Sequence, residues 1–99
     1  MMIRDLEKVR TIIKEATGLD VMYAYDDLVF PEHAAFLMQF DDHHVNKYSC
    51  YFHEDCIMAD KKQLLENLTK VCTQKKCTLV PKGAFNMTQK GEELEIHFL

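Results

Sequence analysis

Apolar and polar positions alternate with a period of two in two neighbouring stretches, Ala34–Phe40 and Tyr48–His53. A period of two sends successive side chains to opposite faces of a sheet, so each stretch predicts a β-strand with one strongly apolar face. A polar connection, Asp41–Asn46, joins the two stretches and favours an antiparallel hairpin. Such a pairing would form one continuous, largely aromatic surface. Its members would be Phe36, Met38, Phe40, Tyr48, Cys50 and Phe52.

Two other segments carry apolar residues at steps of three and four, which is the pattern of an amphipathic helix. The first is Ile3–Thr17, and Gly18 follows it where a left-handed residue commonly ends a helix. The second is Lys61–Gln74. For this helix, Asp60 is predicted as the N-cap and Gln63 as its partner in a capping box. We expect each helix to bury one face.

The remaining segments predict further strands. Leu19–Tyr25 alternates, and Leu28–Phe30 forms either a short strand or the closing arm of a loop, because Pro31 cannot donate to a central ladder. Near the end of the chain, Ala84–Thr88 and Glu92–Phe98 flank a connection that contains glycine, which is typical of a hairpin. We expect one side of this hairpin to face the helices, namely Phe85, Met87, Leu94, Ile96 and Phe98.

The order helix, three strands, helix, two strands predicts an α+β fold. We expect a single domain over residues 1–99, with a largely antiparallel sheet of about five strands and both helices on one face. This order of elements is similar to that of type III secretion chaperones. The similarity lies in topology, and it implies a small chaperone-like binder as one alternative function.

Composition narrows the possible classes of function. The chain has 99 residues, 47% hydrophobic and 28% charged, which is ordinary for a globular domain with its own core. No apolar run approaches the roughly 18 residues of a membrane span, and the charged N-terminus lacks the pattern of a secretory signal. We therefore expect a cytoplasmic protein that does not bind a membrane. A net charge of −4 disfavours nucleic acid as a partner. The sequence contains no glycine-rich phosphate-binding loop, so we expect no cofactor.

The sharpest cluster of chemically active residues is Asp41, Asp42, His43 and His44, in the predicted hairpin connection. Imidazole and carboxylate groups are suitable ligands for zinc, nickel or copper, so a metal-binding protein is one hypothesis. The competing interpretation is a solvated polar turn. It is favoured because the hairpin pairing places His53, a possible further ligand, at the opposite end of the strands.

His53 and Cys56 could also form a nucleophilic pair, which would require the imidazole within hydrogen-bond reach of the thiol. The alternative is a strand that ends in a polar loop. Nothing in the sequence identifies a general acid or an oxyanion site, so catalysis is not favoured. Cys50 and Cys72 lie on apolar faces and are predicted to be reduced core residues.

The face of the sheet away from the helices completes the sequence-based picture. We expect this outer face to be half apolar, through Met22, Ala24, Ala35, Leu37 and Tyr51. An apolar patch on an open sheet face often marks an interface, although scattered exposed apolar residues are also normal. The leading hypothesis is a non-catalytic interaction or self-association module that uses this face or a sheet edge. Its predicted binding residues are Met22, Leu37 and Tyr51.

Overall fold

The computed structural model describes residues 5–25 and 27–99. Within them lie two α-helices and six β-strands, and the predicted α+β class is confirmed. None of the described helices is long and apolar enough to cross a membrane. The elements in chain order are α1 (Leu6–Thr17), β1 (Val21–Tyr25), β2 (Leu28–Pro31), a 3-10 turn (Glu32–Ala34), β3 (Phe36–Phe40), β4 (Lys47–His53), α2 (Met58–Gln74), β5 (Thr78–Lys90) and β6 (Glu93–Phe98).

All six strands form one sheet in the order β1-β2-β3-β4-β5-β6. Neighbouring strands are antiparallel except for β4 and β5, which are parallel and are joined through α2. The sheet has six strands rather than about five because Leu28–Pro31 is a true strand between β1 and β3. Pro31 lies beyond the pairs that β2 makes with β3 and faces only β1, which spares the sheet a missing donor at a central position.

The predicted central hairpin is confirmed residue by residue. Its register pairs Phe36 with Phe52, Met38 with Cys50, and Phe40 with Tyr48. These side chains lie on the inner face, which both helices cover. The helices contribute the rest of this inner core, namely Val9, Ile12, Ile13, Ala16, Leu68, Val71 and Cys72. The prediction that Cys50 and Cys72 are core thiols is confirmed, since both are buried and unpaired.

The sequence correctly predicted where α1 ends but not where α2 begins. Helix α1 ends as predicted, because Gly18 adopts φ 79° and its N–H donates to the Lys14 carbonyl. Its N-cap is Asp5, and the predicted start at Ile3 lies outside the described residues. The predicted N-cap Asp60 is wrong. Helix α2 begins at Met58 after the cap residue Ile57, and Asp60 lies in its first turn, where its charge suits the helix dipole.

The last hairpin faces the side opposite to the one predicted. At the start of β5 the register is regular, and Leu79 pairs with Tyr48 and packs against the inner core. The register then shifts, because Cys50 pairs with Pro81 whereas Tyr51 pairs with Gly83. Lys82 is thus an extra residue in β5. One extra residue reverses the face of every side chain that follows it.

The consequence is a second apolar cluster on the outer face. Phe85 packs there instead of under the helices, together with three residues of β2 and β3. We call this group the outer cluster, Leu28, Phe30, Leu37 and Phe85. Met87 and Ile96 also pack against it, so their predicted inward orientation is wrong. The side chain of Leu94 lies outside the described part of the structure.

Candidate functional site

The Asp41–His44 segment forms a self-contained turn. The carboxylate oxygen Asp41 Oδ1 accepts hydrogen bonds from the backbone N–H of His43 at 2.8 Å and of His44 at 2.9 Å. His44 Nδ1 lies 3.2 Å from the same oxygen. The bond from the His43 N–H, together with those from His44, lowers the pKa of the Asp41 carboxyl below its ordinary value. Asp41 therefore organises the turn through its Oδ1 atom.

Among the described residues, no further ligand set completes a metal site at this turn. The register of β3 and β4 places His53 at the other end of the hairpin, beyond the pair of Phe36 with Phe52, where the His53 N–H donates to the Ala35 carbonyl. Across residues 5–25 and 27–99, no three His, Cys, Asp or Glu side chains are grouped so that they could hold a metal ion. The candidates Asp41, His43 and His44 thus share a turn without forming a ligand set.

The His53 and Cys56 side chains have separate partners. His53 Nδ1 accepts a hydrogen bond from the Asp55 N–H at 3.1 Å, and its ring packs edge-to-face on Phe85. The Cys56 thiol lies 3.8 Å from the Ile57 carbonyl, to which it donates. Burial raises the pKa of the Cys56 thiol, which disfavours the nucleophilic thiolate at neutral pH. Among the described residues, no hydrogen bond joins the two side chains that a catalytic pair would require.

The predicted binding residues have three different environments. Leu37 lies on the outer face as expected, but it is 0% exposed inside the outer cluster, so its predicted availability to a partner is wrong. Met22 lies at a bulge in edge strand β1 and is 72% exposed. Tyr51 is half-buried against the outer cluster. The structure does not bring Met22 together with Tyr51 in one cluster.

Two other residues expected on the outer face lie on the helix side instead. Ala24 pairs with Val29, a member of the inner core, and Ala35 packs against that same core. The bulge at Met22 accounts for the position of Ala24, since it shifts the alternation of β1 by one residue.

The accessible apolar surface lies at the margin of the outer cluster. We call it the outer rim, which consists of Tyr51, Met87, Ile96 and Phe98. Tyr51, Met87 and Ile96 pack against the outer cluster while remaining partly exposed. Phe98 is 47% exposed, and its ring centroid lies 4.5 Å from that of Tyr51. The register links the same residues across β5 and β6, because Phe85 pairs with Phe98 and Met87 pairs with Ile96.

Three residues of this rim were absent from the sequence-based binding set, namely Met87, Ile96 and Phe98. The sequence predicts them on the inner face, because the apolar side of the last hairpin is expected to lie under the helices. Proline and glycine inside a strand pattern often mark a bulge, and this was the available signal. Gly83 adopts φ 155°, a conformation that an L side chain rarely takes.

The opposite side of the same hairpin is charged. Glu95 is the centre of a small network, with Lys90 Nζ at 3.3 Å from Oε1 and His97 Nε2 at 3.3 Å from Oε2. All three side chains are at least one-third exposed, so these pairs contribute little to stability. Strand β6 therefore combines an apolar rim on one face with the polar side chains of Glu93, Glu95 and His97 on the other.

Comparison with protein-family models, with curated proteins and with solved structures finds no match to this chain.

Proposed function

We propose that this protein is a non-catalytic interaction or self-association module that binds through the outer rim and the adjoining edge of β6. The observation that carries the proposal is the continuous apolar margin formed by Tyr51, Met87, Ile96 and Phe98, on the face opposite to the two described helices. Large contiguous apolar patches are uncommon on the surfaces of monomeric proteins, and an exposed apolar patch often marks an interaction site.

Aromatic and methionine side chains are suited to this role. Tyr, Phe and Met are enriched at protein interfaces, where they bury large apolar areas with few rotatable bonds or adapt to an uneven partner. Here Tyr51 and Phe98 hold each other in place by ring contact, which reduces the side-chain entropy lost on binding. The rim rests on the buried outer cluster, which favours binding with little rearrangement of the rim.

The proposal is tested by substitutions at the rim and at a matched exposed site elsewhere. Phe98→Asp places a charge in the rim, whereas Met58→Asp places one at the start of α2, where Met58 is 74% exposed. We expect Phe98→Asp to weaken self-association or partner capture at least about tenfold, as loss of an interface anchor commonly does. Met58→Asp should leave both unchanged.

The measurements are sedimentation equilibrium of the purified protein and affinity capture from extracts of the native cell, with circular dichroism to verify that each variant is folded. The proposal fails if wild type forms no complex in either experiment. It also fails if Met58→Asp abolishes the complex and a folded Phe98→Asp retains it.

A further inference from the structure

Strand β6 presents an open edge. It is the last strand in the sheet order, and its far side pairs with no other strand among the described residues. Edge strands carry unpaired N–H and C=O groups, and proteins usually protect them with charged side chains, above all lysine, or with proline, bulges or very short length. Glu93–Phe98 carries the acidic residues Glu93 and Glu95 but neither lysine nor proline, and its six consecutive pairs with β5 show no register shift.

The other edge of the sheet is different. Strand β1 has a register shift between Val21 and Tyr23, which interrupts its regular pairing with β2. A bulge at an edge twists the strand and hinders the addition of another strand. The contrast indicates that β6, rather than β1, is the edge available for a regular ladder with a new strand.

The side chains of β6 suit a second copy of the same strand. In an antiparallel pair, residues directly opposite each other lie on the same face of the sheet. A twofold pairing that keeps both outer rims on the same face of the joined sheet must therefore have its axis at a residue position and not between two residues. Odd-numbered residues of one copy then lie opposite odd-numbered residues of the other copy, and even-numbered residues lie opposite even-numbered ones.

Three central residues give three different ladders. If Glu95 is the centre, the two Glu95 carboxylates face each other, which is unfavourable. If His97 is the centre, the two imidazoles face each other and fewer residues overlap. If Ile96 is the centre, each Glu95 faces His97 of the other copy, and Ile96 faces Ile96. Only this last arrangement combines opposite polar partners on one face with apolar contact on the other.

We propose that two copies of this chain associate by antiparallel pairing of their β6 strands about a twofold axis at Ile96. The inference rests on the proposed function and specifies its partner. The product is a continuous sheet in which the two outer rims adjoin on one face. Main-chain hydrogen bonds along the ladder supply affinity, while the Glu95–His97 alternation supplies register.

A cysteine scan of β6 tests the register. It is made in a Cys56→Ser background, because Cys56 is the only half-exposed thiol of the four and the others are buried. Ile96→Cys should form a cross-linked dimer with oxidised glutathione, since the two positions lie directly opposite each other. Glu95→Cys and His97→Cys should each cross-link poorly alone. In this register the same residue of the two copies lies diagonally across the ladder, at about 7–8 Å, and not directly opposite. A mixture of those two variants should cross-link efficiently.

A charge exchange provides a second readout that needs no cross-link. Glu95→Lys alone places a cation opposite His97, and His97→Glu alone places two carboxylates opposite each other. Both should weaken dimerisation, and the double variant Glu95→Lys/His97→Glu should restore it. Glu92→Lys, in the turn before β6, makes the same charge change as Glu95→Lys outside the ladder and should have no effect.

Three results would overturn the inference, and each differs from failure of the proposed function. If Glu95→Cys alone cross-links as efficiently as Ile96→Cys, the dimer has a different register. A dimer whose scan yields no cross-link through β6 uses another surface. A monomer that still captures a partner in a Phe98-dependent manner keeps the proposed function and excludes the second copy as that partner.

Discussion

The two faces of the sheet are both packed, but by different means. On the inner face, α1 and α2 cover the side chains of the central strands, and the resulting core contains buried thiols and a tyrosine hydroxyl. On the outer face, large side chains from β2, β3 and β5 cover one another, and every fully enclosed member is a hydrocarbon. Because neither described helix covers the outer face, its own side chains bury only the centre of that face. Its margin remains partly exposed, and there the outer rim becomes available to a partner.

The sharpest way to break this comparison is to place a charge at the centre of the outer cluster. Leu37→Asp buries a carboxylate at a site with 0% exposure, whereas Phe98→Asp places one at the half-exposed rim. We expect Leu37→Asp to cost more than about 4 kcal/mol and to unfold the domain, because an unpaired buried charge is among the few changes of that size. Phe98→Asp should remain folded. Urea denaturation followed by circular dichroism measures both, and a stable Leu37→Asp variant would mean that the outer cluster is open to water.

The two cores can also be compared by equal truncations. Phe52 lies in the inner core and Phe85 in the outer cluster, and both are fully buried. We expect Phe52→Ala and Phe85→Ala each to reduce the free energy of unfolding by about 3–5 kcal/mol, with Phe85→Ala toward the lower value. The difference arises because neighbours near the margin can collapse into the space or admit water. A loss below about 1 kcal/mol for Phe85→Ala would show that the outer cluster is not a core.

The bulge that separates the two environments has its own test. Gly83 adopts φ 155°, so Gly83→Ala should reduce the free energy of unfolding by about 1–3 kcal/mol through backbone strain. The added Cβ would lie 3.6 Å from the Leu99 carbonyl oxygen, an ordinary contact, so strain and not a clash is the expected cause. Lys82→Ala, at the exposed residue beside it, should change stability by no more than about 0.5 kcal/mol. Equal effects of the two substitutions would argue against a conformational requirement at Gly83.

The smallest expected effect concerns the polar atoms of the inner core. Tyr48 is buried, and its hydroxyl has no hydrogen-bond partner among the described residues. Tyr48→Phe removes a buried polar group that gains nothing in the fold, so stability near neutral pH should rise by up to about 1 kcal/mol. Tyr51→Phe, at the outer rim, should change it by no more than about 0.5 kcal/mol. A marked loss in Tyr48→Phe would reveal a hydrogen bond to this hydroxyl.

The same variant has a predicted pH dependence. Burial, with smaller contributions from the neighbouring Cys77 and Cys72 thiols, raises the pKa of Tyr48 from 10.0 to about 12. The neutral phenol is therefore favoured in the folded state. Below pH 10 the phenol is neutral in both states, so its ionisation does not affect stability. As the pH rises from 10 through about 12, the unfolded chain ionises first and the free energy of unfolding falls. Wild type should lose more stability than Tyr48→Phe across this window, as measured by urea denaturation at each pH.

The sequence by itself determined the features whose causes are local. The period of two in β3 and β4 specified which side chains share a face, and the short connection between them specified which residues pair. Gly18 specified the end of α1, because a left-handed residue terminates the backbone pattern within one turn. These elements could be predicted because each depends on neighbours within a few residues.

Tertiary structure decided the features that depend on distant pairing. The face of the last hairpin follows from one extra residue, Lys82, in β5 opposite β4, and that count exists only when the two strands lie side by side. The same shift brings Phe85 over Leu37 and leaves Ile96 and Phe98 at the margin. Alternation along a strand states which residues share a face, but only the register with a neighbouring strand determines which face that is. The sequence therefore identified the apolar residues of the candidate binding surface, but it could not show that they form one surface.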